Sequence, residues 1–203
     1  MIGSPSMIRR LRFLLFLLPS VASAFLVLQL DLQQMTELAE RVFVGRCISA
    51  TEGVDRNGRP VVYVSYEVTE TLKGARPVGT PAERITFKQI RMTTTTSVSE
   101  LPHYEVGEES IVFLSGESDI GLTAPVGLMQ GKFRVVTDSA GEKKVLNGHG
   151  NRGLLQGLKK NKTVKLMALS KKESRLISSG STDIPYDDFV SLVKRFTNGA
   201  SPP

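Results

Sequence analysis

The apolar positions of this chain change their period along its length, and each change marks a new element. In Asp31-Leu32-Gln33-Gln34-Met35-Thr36-Glu37-Leu38-Ala39-Glu40, residues Leu32, Met35, Leu38 and Ala39 fall at helical spacing. With Asp31 as N-cap, this predicts a short amphipathic helix. The run Arg41 to Ile48 is rich in β-branched and aromatic residues and leads to the turn-forming stretch Glu52 to Pro60, with Asn57-Gly58 inside it. That pattern predicts a first strand. From Val61 to Leu72 the period is two: Val62, Val64, Tyr66, Val68 and Leu72 share one face, and Tyr63, Ser65, Glu67, Thr69 and Thr71 the other. A long strand with one buried face follows from it. Arg84 to Ile90 predicts a third strand with Ile85 and Phe87 inward, and the polar loop Thr93 to Ser97 separates it from the next. Ser110 to Leu114 is continuously apolar after its first residue and predicts a central strand. A fifth, Leu128 to Val136, is linked through Asp138-Ser139-Ala140-Gly141 to Lys143 to Leu146, as in a hairpin.

Strands in succession with no long helix between them predict a mainly β fold, a small five-stranded antiparallel OB-like barrel with a short N-terminal helix and a C-terminal amphipathic helix. The C-terminal helix is well marked. Pro185 stands near its start, Asp187 and Asp188 lie in its first turn, and Phe189, Leu192, Val193 and Phe196 form an apolar stripe. Lys194 and Arg195 are expected in its last turn, and Asn198-Gly199 as the stop. Between barrel and helix, residues 147–181 carry glycines, lysines and one short apolar run, Val164 to Leu169, and read as a connector with one possible extra strand. The expected organisation is therefore 1–24 leader, 25–146 barrel with its N-terminal helix, 147–181 Gly/Lys-rich connector, and 182–203 helix and tail.

The leader is a signal peptide by its order of regions. Met7 opens a basic stretch with Arg9, Arg10 and Arg12, an apolar run follows from Phe13 to Leu18 and on through Val21, and Ala22-Ser23-Ala24 supplies small residues for cleavage. Met1 to Ser6 reads as an upstream extension. A retained anchor is the alternative, with Phe25 to Leu30 in its favour. Against it, Pro19 and Ser20 interrupt an apolar stretch shorter than the roughly 20 residues a span requires. The expected location is periplasmic or extracellular. Cys47 is the only cysteine, so no internal disulfide can form, and its apolar surroundings, Val42 to Ile48, predict a buried thiol that behaves as a small hydrophobe.

The order of elements resembles a known module. A short helix is followed by Ala39-Glu40-Arg41-Val42-Phe43-Val44-Gly45-Arg46-Cys47-Ile48-Ser49 and then by Asn57-Gly58-Arg59-Pro60. Tyr66-Glu67-Val68, Thr71-Leu72-Lys73-Gly74 and Tyr104-Glu105-Val106-Gly107-Glu108-Glu109 come next, the last ahead of an apolar strand. Over roughly residues 30–136 this is similar to the N-terminal domain of the tissue inhibitors of metalloproteinases, a netrin-like module, and more closely to exported bacterial proteins of the same pattern. The resemblance implies an OB-fold barrel and raises a protease-inhibitor-like role through a barrel edge. Those inhibitors chelate the protease zinc through an N-terminal cysteine. Here the predicted mature terminus is Phe25, and no residue takes that position.

Composition adds little to this picture. The 203 residues are 40% hydrophobic and 23% charged, within the ordinary range of globular domains. The net charge of +6 falls to +3 once Arg9, Arg10 and Arg12 are removed, leaving 23 basic against 20 acidic residues. Gly148-His149-Gly150-Asn151-Arg152-Gly153 matches a dinucleotide-loop spacing by letter, but the residues before it are short and charged, and no cofactor is expected. His103 and His149 lack metal-ligand spacing to each other or to Cys47, and no nucleophile motif accompanies them, so no catalytic or metal-binding residue is expected. Asn161-Lys162-Thr163 is a glycosylation sequon in a eukaryotic secretory pathway.

One charge asymmetry remains. Lys159, Lys160, Lys162, Lys165, Lys171, Lys172 and Arg175 cluster against Glu173 alone. They read either as a solvated basic connector or as a weak contact for an anionic surface, acting through long-range electrostatics. Specific nucleic-acid binding is not expected, since aromatics for base stacking are missing among them. The sequence thus predicts an exported non-enzymatic binding module for a protein or polysaccharide, its oligomeric state open. Expression in the native host should yield a mature chain beginning at Phe25, and N-terminal sequencing that finds Met1 or Met7 retained would overturn the cleavage.

Overall fold

The computed structural model describes residues 28–74, 83–91 and 101–199, so the expected signal peptide and the loop Thr93 to Ser97 lie outside the described residues. Among the described residues no helix is long and apolar enough to cross a membrane. The first element, α1 (Leu32–Leu38), begins in a capping box: Gln34 N–H donates to the Asp31 carboxylate at 2.9 Å and Asp31 N–H donates to Gln34 Oε1 at 3.0 Å. Leu32, Met35 and Ala39 are buried, whereas Leu38 is 60% exposed. Its place six residues after Leu32 turns it about 240° around the axis, away from the buried stripe.

Among the described residues seven strands follow: β1 (Arg41–Val54), β2 (Pro60–Lys73), β3 (Glu83–Ile90), β4 (Glu109–Leu114), β5 (Lys132–Thr137), β6 (Lys143–Asn147) and β7 (Ile184–Pro185). They form one antiparallel sheet in the order β3-β2-β1-β4-β5-β6-β7, with β3 and β7 at its edges. The mainly β class holds, but the expected closed five-stranded barrel does not form. The free side of β5 is taken by β6 through the turn at Asp138–Gly141, so no edge is left there to meet β3. The expected strand from Leu128 is also shorter. Gly127 and Leu128 both have positive φ, and Leu128–Gln130 make a 3-10 turn before β5 begins. Gln130 holds that turn to the N-terminal segment, accepting from Leu30 N–H and donating to Leu28 C=O, each at 3.0 Å.

The long strand β1 pairs with β2 along its whole length and with β4 over Arg41–Arg46, and three register shifts bend it. At one of them Gly45 lies so close to β2 that a Cβ would stand 2.7 Å from the Glu67 carbonyl oxygen. Bending separates two cores. On one face Val42, Val44, Ile111, Phe113 and Phe133 meet the helices. On the other Phe43, Cys47, Val64, Tyr66, Phe87, Tyr104 and Val112 pack together as the sheet curls over itself. Edge-on aromatic contacts link Phe43 to Tyr66 at 5.5 Å and Phe87 to Tyr104 at 5.8 Å. Val64 and Tyr66 are fully buried here, with Val62 and Val68 packed against them, as the alternation predicts. Leu72 instead joins the helix-side core, beside the register shift between Val42 and Phe43.

The stretch expected as a connector contributes to that helix-side core. Leu154, Leu155, Leu158, Val164, Leu176 and Ile177 are buried within it. The possible strand at Val164 to Leu169 is not one: Lys162–Leu166 form α2, and Lys171–Ser179 form α3. Their caps explain why. Asn161 accepts from Thr163 N–H at 2.8 Å, and Ser170 and Glu173 make a second capping box at the start of α3, which stops at Gly180 with a left-handed φ of 63°. The final helix, α4 (Tyr186–Gly199), buries Phe189, Leu192, Val193 and Phe196 as its stripe predicts, and it continues one turn past Lys194 and Arg195. Phe189 stands 4.7 Å from Phe133 and 6.1 Å from Phe113, which anchors the helix to the sheet.

The curled core generates a prediction. Val64 is fully buried opposite Ala50 and Phe87. Val64→Asp would place an unpaired charge there and should cost roughly 3 kcal/mol or more. Tyr63→Asp, on the exposed face, should cost well under half of that, and denaturant unfolding that ranks the two variants equally would refute the face assignment.

Candidate functional site

The sequence-predicted basic residues are brought together on one side of the molecule by α2, α3 and the 3-10 turn Leu158–Lys160. Lys159, Lys160, Lys162, Lys165, Lys171, Lys172 and Arg175 are all exposed. None of them forms an ion pair with a described residue. Helical spacing groups them, since Lys162 and Lys165 share a face of α2, and Lys171, Lys172 and Arg175 share a face of α3. Lys159 carries its Nζ to Gly180, at the C-terminal end of α3, where a cation is favoured by the helix dipole.

Glu173, the one acid of this segment, is absent from its surface. Its side chain is 1% exposed and points inward to α4. One carboxylate oxygen accepts from Arg195 Nε at 2.7 Å and from Ser191 Oγ at 2.6 Å, and the other from Ser170 N–H at 2.6 Å. Burial alone would raise its pKa, but these hydrogen bonds, led by Arg195, outweigh that and hold it at about 2. The carboxylate therefore ties α3 to α4 and is matched by Arg195, so it offsets none of the outward charge.

Between α2 and α3 lies an open cleft of about 480 Å³. Leu158, Val164, Met167, Leu169 and Ile177 make its apolar lining, while Lys159, Lys165, Ser174 and Ser178 stand along it. Sequence reading identified the lysines and missed the cleft. Its apolar residues come from three separate elements and share no single period; the capping box Ser170–Glu173 is the signal that could have marked the start of α3.

Two further concavities involve other residues. A groove of about 920 Å³ runs beside the edge strand β3, lined by Ile85, Phe87 and Lys88 and by the loop 115–123. At its rim Asp55 accepts from the backbone N–H of Arg59 and Asn57 and from Arg59 Nε, bonds that hold its carboxyl at about 2. A smaller groove of about 390 Å³ lies over the ion pair of Glu108 with Lys132, which is buried against Tyr104. Lys132 also donates to the His103 carbonyl at 2.6 Å, and Ser110 donates to Glu108 at 3.0 Å. Cys47 is fully buried nearby, and burial pushes its thiol pKa up against the pull of Lys132. The Tyr66 hydroxyl in this core is raised by burial too.

The histidines do not converge. His103 is 83% exposed beside Glu105, and His149 sits in the glycine-rich stretch after β6. That stretch is organised by two buried asparagines: Asn147 accepts from His149 and Asn151 N–H, and Asn151 donates to the Val145 and Thr182 carbonyls. Its amides are thereby turned toward protein, and turns follow it where a dinucleotide loop would open a helix. Among the described residues no group of three or more His, Cys, Asp or Glu is placed to hold a metal ion.

The clamp at Glu173 sets an acid limit on the basic face. A carboxyl whose pKa is depressed in the folded state contributes stability above its unfolded value, and that contribution is lost as pH falls through the folded value. Here the window runs from 4.5 down to about 2. Glu173→Gln should lower the thermal midpoint at pH 7 and flatten its dependence on pH between those limits, so that the two proteins converge near pH 2. Parallel curves across the window would show that the carboxylate makes no such contribution.

No family model, no curated protein and no solved structure matches this chain.

Proposed function

We propose that this chain is an exported, non-enzymatic binding module that receives an anionic partner, an acidic protein or polysaccharide, on its basic helical face. The observation that carries the reading is the segregation of charge at α2 and α3. Seven cations face solvent without carboxylate partners among the described residues, and the one acid of the segment is consumed inside. Such a face holds a positive potential that draws in polyanions from a distance and does not need a rigid pocket. Export is supported by the ordered basic, apolar and small-residue regions before Phe25.

The netrin-like reading belongs to the same proposal. Its support is the placement of α1 ahead of a long, bent β1 and the antiparallel run β3-β2-β1-β4-β5, which curls over an aromatic core. A second reading, protease inhibition through the exposed edge of the sheet, is favoured by the groove of about 920 Å³ beside β3. A protein partner whose affinity ignores the lysines would point to that edge.

The test uses heparin as an acidic polysaccharide and polyglutamate as an acidic polypeptide. Replacing Lys159, Lys160, Lys171 and Lys172 with Gln removes four exposed charges worth roughly 0.3–0.5 kcal/mol each toward an anion, so affinity at low salt should fall about tenfold. Binding by the parent should weaken steeply as salt shortens the Debye length toward ~3 Å near 1 M. The thermal midpoint should stay the same, because exposed charges contribute little to folding. A quadruple variant that binds both polymers as well as the parent would make this face a solvated surface and overturn the proposal.

A further inference from the structure

We infer that the cleft between α2 and α3 is a site for a single-chain amphiphilic anion, a long-chain carboxylate lying with its tail on the apolar lining and its head on Lys159 and Lys165. The inference rests on the reading of the basic face as an anion-binding surface and adds the class of ligand. A purely polar polyanion would satisfy the lysines and leave the half-buried Met167 and Leu169 facing water above the buried Leu158, Val164 and Ile177. A ligand with both an apolar body and a negative end covers the lining and meets the charge together. The volume of about 480 Å³ falls in the range of small-molecule sites.

The alternative source of such chemistry is a lipid bilayer, which the protein would have to enter with its own apolar side chains. Those side chains are elsewhere. Among the described side chains, the large hydrophobic residues that stand exposed are Leu28, Leu38, Val54, Tyr63, Ile90, Val106 and Ile120, and none of these belongs to α2, α3 or the turn before them. The apolar atoms of the basic face are recessed in the cleft. A monomeric amphiphile can reach them, whereas a membrane surface meets the exposed lysines and Arg175 first. Electrostatics assists the same pose, since Lys159 and Lys165 are both on the cleft and no exposed acid of the segment repels the head.

The experiment is calorimetric titration of the full mature chain with octanoate, decanoate and laurate below their micelle concentrations, beside heparin. Affinity should rise two- to fourfold per added methylene until the cleft is filled, since each buried methylene carries a factor of about four at most. Dodecyltrimethylammonium, with the same tail and the opposite head, should bind at least tenfold more weakly than laurate. Lys159→Gln with Lys165→Gln should remove the preference for the anionic head. Ser178→Trp, at an exposed position on the cleft, should block laurate and leave heparin binding intact. Heparin binding without chain-length dependence would overturn the amphiphile site and leave the basic-face reading standing. Loss of both ligands' binding in the parent would remove both readings. Laurate binding that survives in both variants, or appears only above the micelle concentration, would place the contact elsewhere and overturn the inference.

Discussion

Water must be kept from both faces of β1 and β4, and most of the architecture answers to that constraint. Val42, Phe43 and Val44 are consecutive and buried, as are Ile111, Val112, Phe113 and Leu114, so neither β4 nor the first half of β1 has a side that tolerates solvent. Alternation then divides the demand. Val42, Val44, Ile111 and Phe113 require a cover on one face, and Phe43, Cys47, Val112 and Leu114 require one on the other. At roughly 25 cal/mol for each Å² of apolar surface removed from water, leaving either side uncovered would exceed the net stability of a domain this size. The two covers are of different kinds. Helices supply the first, and the sheet supplies the second by bending β1 and β2 until Tyr66, Phe87 and Tyr104 close over Phe43.

That division explains why the sheet curls and stays open. Curling satisfies the aromatic side once β3 and the Tyr104 segment are in place, and closure would add hydrogen bonds but no further apolar cover. The chain uses β5 differently, as the base of a hairpin that extends the sheet toward β7 and the helices. The helix-side core then has a wide floor, which α1 and α4 cannot fill alone. Residues Leu154 to Ile177 complete it, and for that reason the Gly- and Lys-rich stretch is folded inward at its apolar positions.

Legibility in the sequence followed the strength of local periods. Strand β2 and helix α4 carry clean periods of two and of 3.6, and their buried residues Val64, Tyr66, Phe189 and Phe196 were readable directly. Strand β4 was readable as central from the opposite signal, an unbroken apolar run with no polar side. What could not be read depends on pairing between distant segments. The β5–β6 hairpin was announced by its turn at Asp138–Gly141, but nothing local announces that two residues at Ile184–Pro185 extend the sheet beyond it, or that Leu72 leaves its expected face beside a register shift. Helices α2 and α3 were missed because lysine and serine dominate their composition, and their few apolar residues acquire meaning only against the core. The basic residues were legible as a cluster, but their arrangement around a cleft was not.

Burial of Glu173 connects the fold to the site. In sequence it reads as the one countercharge among seven cations. In the structure its carboxylate caps α3 and accepts from Arg195 and Ser191 of α4, so the interaction that docks α3 also withdraws the negative charge from the surface. An apolar residue at this position would pack but leave Arg195 and the first turn of α3 without their acceptor, and an outward-facing acid would neutralise part of the face. An inward carboxylate meets both conditions, since desolvation of the group is offset by the donors converging on it. The exposed charge is then a consequence of how α3 is held, and any ligand attracted there meets cations whose scaffold is fixed from below.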